Sequence, residues 1–340
     1  MSEPPISETT PIEEPEAPRP RWYRGRALRS CSWAATAAVC AYALIRLFGL
    51  DSGWILVVTI AFVPYVAGAA LLGAGVQAVL RHWRAAIATA AAALAMAAVI
   101  LPRALPDEQP AAEGFELRVM SVNAYVGTTN LEHIVDLVDR YEPDLLSIQE
   151  LTPAAYEELA VLGLEEKLPH VMAEPAGQAV GTGIYARHPV ERLESSEPDG
   201  IFHQIAAEVT LPDGSQARFM AVHTASPGRA DWIPSWEADF AQLPRPAGDV
   251  PWILAGDFNA TLDHRTLRET LERGYTDAAD ATGEGMATTW RPVAGHLRPP
   301  AVTLDHVLVE ERIAVRAFEV LDKNGSDHAP VIATVQLPGR

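Results

Sequence analysis

Cysteine is nearly absent from this 340-residue chain: the only two, Cys31 and Cys40, both lie in one apolar block near the N-terminus. The part of the chain after the apolar blocks therefore has neither a disulfide nor a free thiol. This excludes catalytic thiol chemistry and zinc–thiolate sites there. A hydrophobic core must stabilise that part without cross-links.

Three common catalytic motifs are also missing. The chain contains no P-loop, no HExxH and no GxSxG pattern. Their absence excludes the P-loop type of nucleotide hydrolysis, the zincin type of metalloprotease and the nucleophile elbow of α/β-hydrolases.

Large apolar side chains are scarce in residues 1–29, which begin MSEPPISETTPIEEPEAPRP and are rich in Pro and Glu. Such a segment cannot bury enough apolar surface to offset the entropy that folding costs. We predict that residues 1–29 form a disordered tail.

Three apolar blocks follow the tail, at about Cys31–Leu50, Trp54–Leu80 and Ala85–Leu101. Each is close to the length of about 17–25 residues that a helix needs to cross a bilayer. A cleavable signal peptide is the alternative for the first block, but two further apolar blocks follow it directly. A water-soluble bundle is the other alternative, but AAIATAAAALAMAAVI has no polar face. We predict a three-helix transmembrane region over residues 30–102.

Basic residues predict how these helices are oriented. Five arginines precede the first block, and Arg81 and Arg84 separate the second from the third, whereas the DSG turn at 51–53 has none. By the positive-inside rule, the N-terminal tail is cytoplasmic, and the chain after about Pro102 lies outside the cell. Arg46, near the end of the first block, is expected to snorkel to the interface.

The remainder of the chain is strongly acidic. Residues 103–340 carry 38 acidic and 18 basic side chains. Such a surface repels polyanions and argues against a general nucleic-acid substrate, and no pattern points to a protein partner. Residues 103–114, rich in Pro, Ala and acidic residues, are predicted to be a linker that holds the next domain a short way off the bilayer.

Residues 115–340 alternate between strand and helix patterns. Strands are predicted in FELRVMSVNAY, DLLSIQE, GTGIYAR, both halves of HQIAAEVTLPDGSQARFMAVH, WILAGDFN, TLDHVLV, IAVRAFEV and PVIATVQL. Helices are predicted near 131–141, 153–161, 232–243 and 265–272. This order predicts a layered α/β domain with mixed sheets.

Polar side chains stand in or just beyond these apolar runs, at Asn123, Glu150, His223, Asp257, Asn259, Asp305, Asp327 and His328. Each alone has an ordinary explanation: an Asn in a turn, a solvated loop carboxylate, a hydrogen-bonded core imidazole. Together they favour one shared site, because functional groups collect in crevices outside strand ends.

The chemistry of this set points to phosphate. Carboxylate and carboxamide oxygens suit Mg²⁺ or Mn²⁺. Imidazoles beside them suit proton transfer or charge stabilisation near a phosphoryl group. The inventory predicts metal-assisted hydrolysis of a phosphate ester or anhydride.

The ordered series VMSVNAY, PDLLSIQE, GTGIYARHPV, MAVHTAS, ILAGDFNAT, TLDHVLV and GSDHAPV resembles the endonuclease/exonuclease/phosphatase superfamily over about residues 115–337. The resemblance implies a four-layer α/β sandwich with two central mixed sheets, preceded here by three transmembrane helices. It also implies that Asn123 and Glu150 bind the metal, with Glu150 as the main ligand and Asp327 as a further acid.

Catalytic roles follow from the same resemblance. Asp257 would position or deprotonate the attacking water, Asn259 would orient the scissile phosphate, and His223 would donate to a phosphate oxygen. His328 would serve as acid, base or electrostatic stabiliser, with Asp305 orienting it. The resemblance leaves open which group is the general base.

The domain contains further basic residues outside these eight positions. Arg187, in YARHPV, either touches the phosphate or is a plain surface arginine. The histidines that match no motif position are expected to be structural or exposed: His170, His188, His264 and His296.

Three spans before an outward domain make the chain similar to a membrane-anchored bacterial branch of the superfamily associated with teicoplanin-type glycopeptide resistance. That resemblance implies a substrate at the outer leaflet, an undecaprenyl diphosphate or another lipid phosphate. A tether also raises the effective concentration of the site at the bilayer. Two alternatives stay open: a phosphodiesterase for phospholipid or extracellular nucleic acid, and a non-catalytic membrane protein that binds a cell-wall precursor or an antibiotic.

Overall fold

The computed structural model describes residues 22–193, 200–293 and 299–339. The helices, in chain order, are α1 (Trp22–Phe48), α2 (Trp54–Ile60), α3 (Val63–Val79), α4 (Trp83–Ile100), α5 (Leu131–Tyr141), α6 (Pro153–Val161), α7 (Leu164–Lys167), α8 (Ile233–Gln242), α9 (Arg265–Leu271) and α10 (Ala278–Ala281). Short 3₁₀ turns occur at Leu101–Ala104 and Ala230–Trp232.

The strands of the described chain are β1 (Glu116–Asn123), β2 (Leu145–Gln149), β3 (His170–Glu174), β4 (Thr182–Ala186), β5 (Val190–Arg192), β6 (Ile205–Thr210), β7 (Gln216–His223), β8 (Trp252–Asp257), β9 (Tyr275–Asp277), β10 (Asp305–Glu310), β11 (Ala314–Val320) and β12 (Val331–Gln336). They form two six-stranded sheets, ordered β11-β12-β1-β2-β4-β3 and β5-β6-β7-β8-β10-β9. Both sheets are mixed: β1 and β2 run parallel, as do β7 and β8, while the other pairs are antiparallel.

The two sheets pack face to face over one apolar core. Leu117 and Leu145 of the first sheet belong to the same buried cluster as Phe219 and Ile253 of the second. Helices α5 and α6 cover the outer face of the first sheet, and α8 and α9 cover the second. This arrangement confirms the predicted four-layer α/β sandwich.

The membrane part differs from the prediction in its second block. Helices α1 and α4 are long and apolar enough to cross a bilayer, but α2 and α3 meet at 77°, so the block Trp54–Leu80 is not one straight helix. Pro64 lies in the first turn of α3, where its missing N–H costs nothing and its ring prevents a helix from continuing through. The described chain therefore has two candidate spans, or three if the bent pair counts as one.

Helix α1 begins at Trp22, so the predicted disordered tail does not reach residue 29. Residues 1–21 of that prediction lie outside the described residues. At this end of the bundle, Oγ of Ser32 lies 2.7 Å from Nδ1 of His82, in the turn between α3 and α4. The N-terminal part of α1 and the RHWR turn therefore lie at the same end of the bundle.

The predicted linker does not hold the domain away from the helices. Arg103 is buried, with 7% of its surface exposed, and the N–H of Asp107 donates to the carbonyl of Ala281 at 3.0 Å. The Arg316 guanidinium donates to the carbonyl of Ala112 at 3.1 Å. An extended segment leaves its backbone groups free to pair, and here they pair with the domain, so its prediction as a spacer was wrong.

Candidate active site

Six strands bring their polar ends to one edge of the sandwich. β1 and β2 run parallel and end at Asn123 and Gln149, so Glu150 follows at the same edge. β7 and β8 run parallel in the second sheet, and their last residues, His223 and Asp257, are paired in register.

The antiparallel neighbours contribute from their first residues. Asp305, the first residue of β10, pairs with Asp257, and Asp327 and His328 lie just before β12. The topology therefore collects side chains that are distant in sequence.

Gly256, just before Asp257, is required by this close strand pairing. A Cβ at this position would lie 1.8 Å from the carbonyl oxygen of Val222 in β7. Only glycine lets β8 approach β7 this closely, and the approach sets Asp257 beside His223.

Asn123 links the two sheets at the site. Its Nδ2 donates to Oε1 of Glu150 and to Oδ2 of Asp257, each at 3.2 Å, and its Oδ1 accepts from the N–H of Tyr125 at 2.9 Å. One side chain therefore fixes the distance between two carboxylates from different sheets.

Glu150 adopts a left-handed backbone conformation, with φ of 56°. Its second oxygen, Oε2, accepts from the N–H of Val126 at 2.6 Å. Burial raises the pKa of Glu150, and the hydrogen bond from Asn123 and the positive charge of His328 oppose that change. A backbone strain of about 1–3 kcal/mol at such a position persists only where the surroundings fix it.

Asp257 is almost fully buried, with 2% of its surface exposed. Its Oδ1 accepts from the N–H of Asn259 at 2.9 Å, while Oδ2 lies 3.6 Å from Nε2 of His328 and 3.8 Å from Nε2 of His223. Burial raises the pKa of Asp257, and the charge of His328 counteracts it. Asn259 in turn donates from Nδ2 to the carbonyl of Thr224 at 3.0 Å.

His328 is oriented by Asp305. Nδ1 of His328 lies 2.8 Å from Oδ2 and 3.0 Å from Oδ1 of this carboxylate, so it carries the proton. Burial by itself lowers the pKa of His328, but the charges of Asp305 and Asp257 outweigh it and raise the pKa to about 10. The imidazole is therefore held as a cation that points Nε2 at Asp257.

His223 is the opposite kind of histidine. Burial, helped by the charge of His328, lowers the pKa of His223 to about 3. Its ring stacks on Phe202, with ring centres 4.1 Å apart and planes at 9°. A neutral imidazole can offer an N–H to a phosphate oxygen without adding charge.

Asp327 is held by an aromatic side chain. Its Oδ2 accepts from Nε1 of Trp290 at 3.1 Å, and its buried Oδ1 has no hydrogen-bond partner among the described residues. A buried carboxylate oxygen without a donor is costly unless a cation or a water meets it.

The donor set fits a divalent cation. Ligand atoms of Asp257, Asp305 and His328 lie within 4.8 Å of one another, the spacing of a metal site. However, His328 donates to Asp305 and is held cationic, so it is a poor ligand. The carboxylates of Glu150 and Asp327, the second with its unpartnered oxygen, and the amide of Asn123 offer the hard oxygens that Mg²⁺ or Mn²⁺ prefer.

The predicted site residues line one cavity of about 610 Å³. Six of them line it directly: Glu150, His223, Asp257, Asn259, Asp327 and His328. Asn123 and Asp305 join the group through the hydrogen bonds described above. The structure therefore brings all eight predicted residues together.

The remaining predicted residues fall elsewhere. Arg187 lies 3.3 Å from Asp144 and donates to the carbonyl of Pro143, which leaves the surface interpretation of this residue. His188 also lies against Asp144, and His170 lies in β3. His264 is buried in a structural role and also borders the cavity, and His296 lies outside the described residues.

Sequence reasoning missed the apolar wall of the cavity. Phe202, Trp232 and Trp290 line it, as do Val58 and Phe62 from the junction of α2 and α3. Aromatic residues in loops carry no motif, and the only signal was the unusual density of tryptophan next to the polar blocks. The contribution of the membrane segment had no local signal at all.

The family model described as Endonuclease/Exonuclease/phosphatase family matches residues 120–328. Since this match covers more than half of the chain, the protein belongs to the endonuclease/exonuclease/phosphatase family. Members of this family are hydrolases that act on phosphoesters and typically use divalent metals.

Solved structures support the same fold. An endonuclease/exonuclease/phosphatase from Beutenbergia cavernae is 18% identical, with a TM-score of 0.50 over 66% of this chain and 72% of that one. A humanized D. rerio TDP2 is 18% identical, with a TM-score of 0.51 over 65% of this chain and 99% of that one. None of the curated proteins compared with the chain matches it in sequence.

Proposed function

We propose that this protein is a divalent-metal-dependent phosphohydrolase that acts on a lipid phosphate or polyprenyl diphosphate at the outer face of the membrane. The proposal rests on the residues that line the 610 Å³ cavity. Its wall includes both the polar residues of the predicted site and Val58, Ala61 and Phe62 of the membrane segment. A substrate with a phosphorylated head and a hydrocarbon chain matches both walls.

The apolar part of the cavity is continuous with the break between α2 and α3. Phe62 ends the turn between these helices, and Tyr65, three residues on, is 43% exposed; at the start of α2, Trp54 and Ile55 are 45% and 68% exposed. Exposed aromatic and aliphatic residues at the end of a membrane helix are typical of the bilayer interface. A chain leaving the cavity at Phe62 would therefore pass directly into lipid.

A second cavity of about 300 Å³ is also lined by residues of this junction. It shares Ala61 and Val302 with the larger one, and Tyr65 and Met286 line it. Residues of the α2–α3 junction therefore line both cavities, and only the larger one contains the predicted site residues.

The side chains can perform hydrolysis in the following way. Glu150, with Asn123 and Asp327, would hold the metal, which would supply charge stabilisation for the phosphoryl group. Asp257 lies where it can orient a water, and the raised pKa of its carboxyl brings it nearer to neutral pH as a proton acceptor. Cationic His328 and neutral His223 flank Asp257, so each can donate to a phosphoryl oxygen.

The test uses the full-length protein in lipid vesicles, with Mg²⁺ or Mn²⁺ and four substrates: a polyprenyl diphosphate, a phospholipid, bis-p-nitrophenyl phosphate and plasmid DNA. We expect release of inorganic phosphate from the polyprenyl diphosphate, abolished by EDTA and by His328→Ala. The surface variant Asp136→Asn, on the exposed face of α5, is the control. Cleavage of DNA or phospholipid in preference would replace this proposal by a phosphodiesterase.

We extend the proposal to glycopeptide resistance, on the basis of the two or three apolar helices that precede the domain. An enzyme that hydrolyses a lipid carrier of cell-wall precursors would alter the pool of glycopeptide targets. Expression of wild-type protein, but not of His328→Ala, should raise the teicoplanin concentration that inhibits a sensitive bacterium. Equal inhibition of both strains would remove this role and leave the hydrolase untouched.

A further inference from the structure

The loop between β8 and α9 carries Asn259, and its far end is held by the membrane segment. Nε of Arg46, in α1, donates to Oδ1 of Asp263 at 2.5 Å. Arg103, just after α4, donates to Oδ2 from Nη1 at 3.0 Å and to Oδ1 from Nη2 at 2.7 Å. One carboxylate of the catalytic domain therefore receives two guanidinium groups from the membrane segment.

These three side chains are withdrawn from water. The exposed fractions are 1% for Asp263, 6% for Arg46 and 8% for Arg103. Removing one arginine would leave the buried Asp263 carboxylate with one guanidinium partner instead of two. The contact therefore fixes the position of Asp263 relative to the helices.

Two further contacts hold the same end of the loop. Nδ1 of His264 accepts from the N–H of Thr261 at 2.8 Å, so Nε2 donates to the carbonyl of Val57 at 2.9 Å. Oδ2 of Asp51, between α1 and α2, accepts from the N–H of Arg265 at 2.9 Å. The membrane segment thus contacts three consecutive residues, Asp263, His264 and Arg265, at the end of the loop and the start of α9. The contacts come from Arg46, Asp51, Val57 and Arg103.

The other end of the loop is the site itself. Asn259 has a φ of 46°, a left-handed conformation that costs an asparagine free energy. Its N–H and its side chain are held by Asp257 and by the carbonyl of Thr224. Such a conformation persists where both ends of the loop are fixed.

We propose that the membrane helices position the catalytic loop 258–264, with Arg46, Arg103 and Asp263 as positioning residues. The helices are then part of the working enzyme rather than an anchor. The activity measurement rests on the proposed phosphohydrolase function, whereas the conformation of the loop does not.

The test compares Arg46→Gln with Arg29→Gln, an exposed arginine of the same helix, in full-length protein in lipid nanodiscs. With bis-p-nitrophenyl phosphate and Mn²⁺, we expect Arg46→Gln to lower kcat at least tenfold, with KM and the Mn²⁺ dissociation constant within twofold of wild type. Arg46→Lys should restore part of kcat. A kcat within twofold of wild type for Arg46→Gln would overturn the proposal.

Hydrogen exchange of the backbone amides of 258–264 gives a readout that needs no activity. We expect at least tenfold faster exchange in Arg46→Gln, confined to this loop and the start of α9, and unchanged exchange in Arg29→Gln. If Arg46→Gln does not accumulate as folded protein, Arg46→Lys is measured instead. We then expect faster exchange of the same amides, with a smaller increase in rate. Exchange equal to wild type in a folded variant would overturn the proposal even if the chain hydrolyses no phosphate.

Discussion

Both carboxylate oxygens of Asp305 lie within hydrogen-bond distance of Nδ1 of His328, at 2.8 and 3.0 Å. This geometry fixes the ring direction, so that Nε2 points at the cavity. Asp305→Asn keeps the shape but loses the charge that holds the imidazole cationic. We expect kcat on bis-p-nitrophenyl phosphate to fall by about 10²–10⁴-fold.

The control for this prediction is Asp249→Asn, an exposed aspartate that precedes the first residue of β8, at the strand end opposite Asp257. Its kcat should match that of the wild type. Asp305→Asn with unchanged kcat would show that His328 does not act on the phosphoryl group through this pair.

Glu150→Gln tests the metal site. The substitution removes the charged oxygen that faces Asn123 but keeps an acceptor for the N–H of Val126. Because a neutral amide is a weaker ligand for a hard cation, we expect Mn²⁺ affinity to fall by about 10–100-fold. Titration calorimetry measures this directly.

Glu157→Gln, on the exposed face of α6, is the matched control and should bind Mn²⁺ as the wild type does. Equal affinity in Glu150→Gln and wild type would move the metal to the group of Asp257, Asp305 and His328.

Phe62→Ala tests whether the membrane segment recognises a lipid. The change removes most of the apolar side chain that the α2–α3 junction contributes to the cavity. We expect the ratio of kcat/KM on the polyprenyl diphosphate to kcat/KM on bis-p-nitrophenyl phosphate to fall at least fivefold, because only the lipid loses contacts. Leu72→Ala, an exposed residue in the middle of α3, should leave the ratio unchanged. An unchanged ratio in Phe62→Ala would contradict a lipid chain in this part of the cavity.

Asp239 gives a prediction for stability and pH. Its Oδ2 accepts from the N–H of Ala225 at 2.7 Å, and burial raises the pKa of this carboxyl from 3.8 to about 6. The folded chain therefore holds the proton more tightly than the unfolded chain, and the charge of Asp239 costs stability as the pH rises from about 4 to 6. Above pH 6 the cost is constant, at about 3 kcal/mol.

Asp239→Asn has no such charge. We expect its unfolding temperature to exceed that of the wild type at pH 8 and to approach it at pH 4. Thermal unfolding of the full-length protein in detergent at both values checks this, with Asp136→Asn as the control. A constant difference between the two pH values would contradict the assigned cause.

The site was predictable from sequence because its members follow local rules. Each strand that ends at the site reads as an apolar run, and a polar residue such as Asn123 or Asp257 interrupts it at its end. The order of these blocks resembles a known family, so that even the pairing of Asp305 with His328 could be expected. Parallel strands then bring these ends together at one edge of the sheet.

The contacts between the membrane helices and the domain could not be predicted from the sequence. Arg46 and Asp263 are 217 positions apart, and no local pattern marks either as the partner of the other. An arginine near the end of a span is normally expected to extend its side chain to the membrane interface. For Arg46 this prediction was wrong, because its guanidinium pairs with the buried carboxylate of Asp263 instead. The bend at Ala61–Phe62 did have a sequence signal, Pro64. A hydropathy profile alone does not show it, because the whole block is apolar.

Val57 is fully buried, and it packs in the same cluster as Leu254 and Phe258 of the domain. A side chain from helix α2 thus completes the interior beneath the second sheet. Gene fusion that joined residues 115–340 to a foreign anchor would leave a hole where Val57 belongs and would leave the buried carboxylate of Asp263 without its two guanidinium partners. Exchange of such modules during evolution is therefore restricted: the helices and the domain can diverge only together, each change on one side constraining its neighbour.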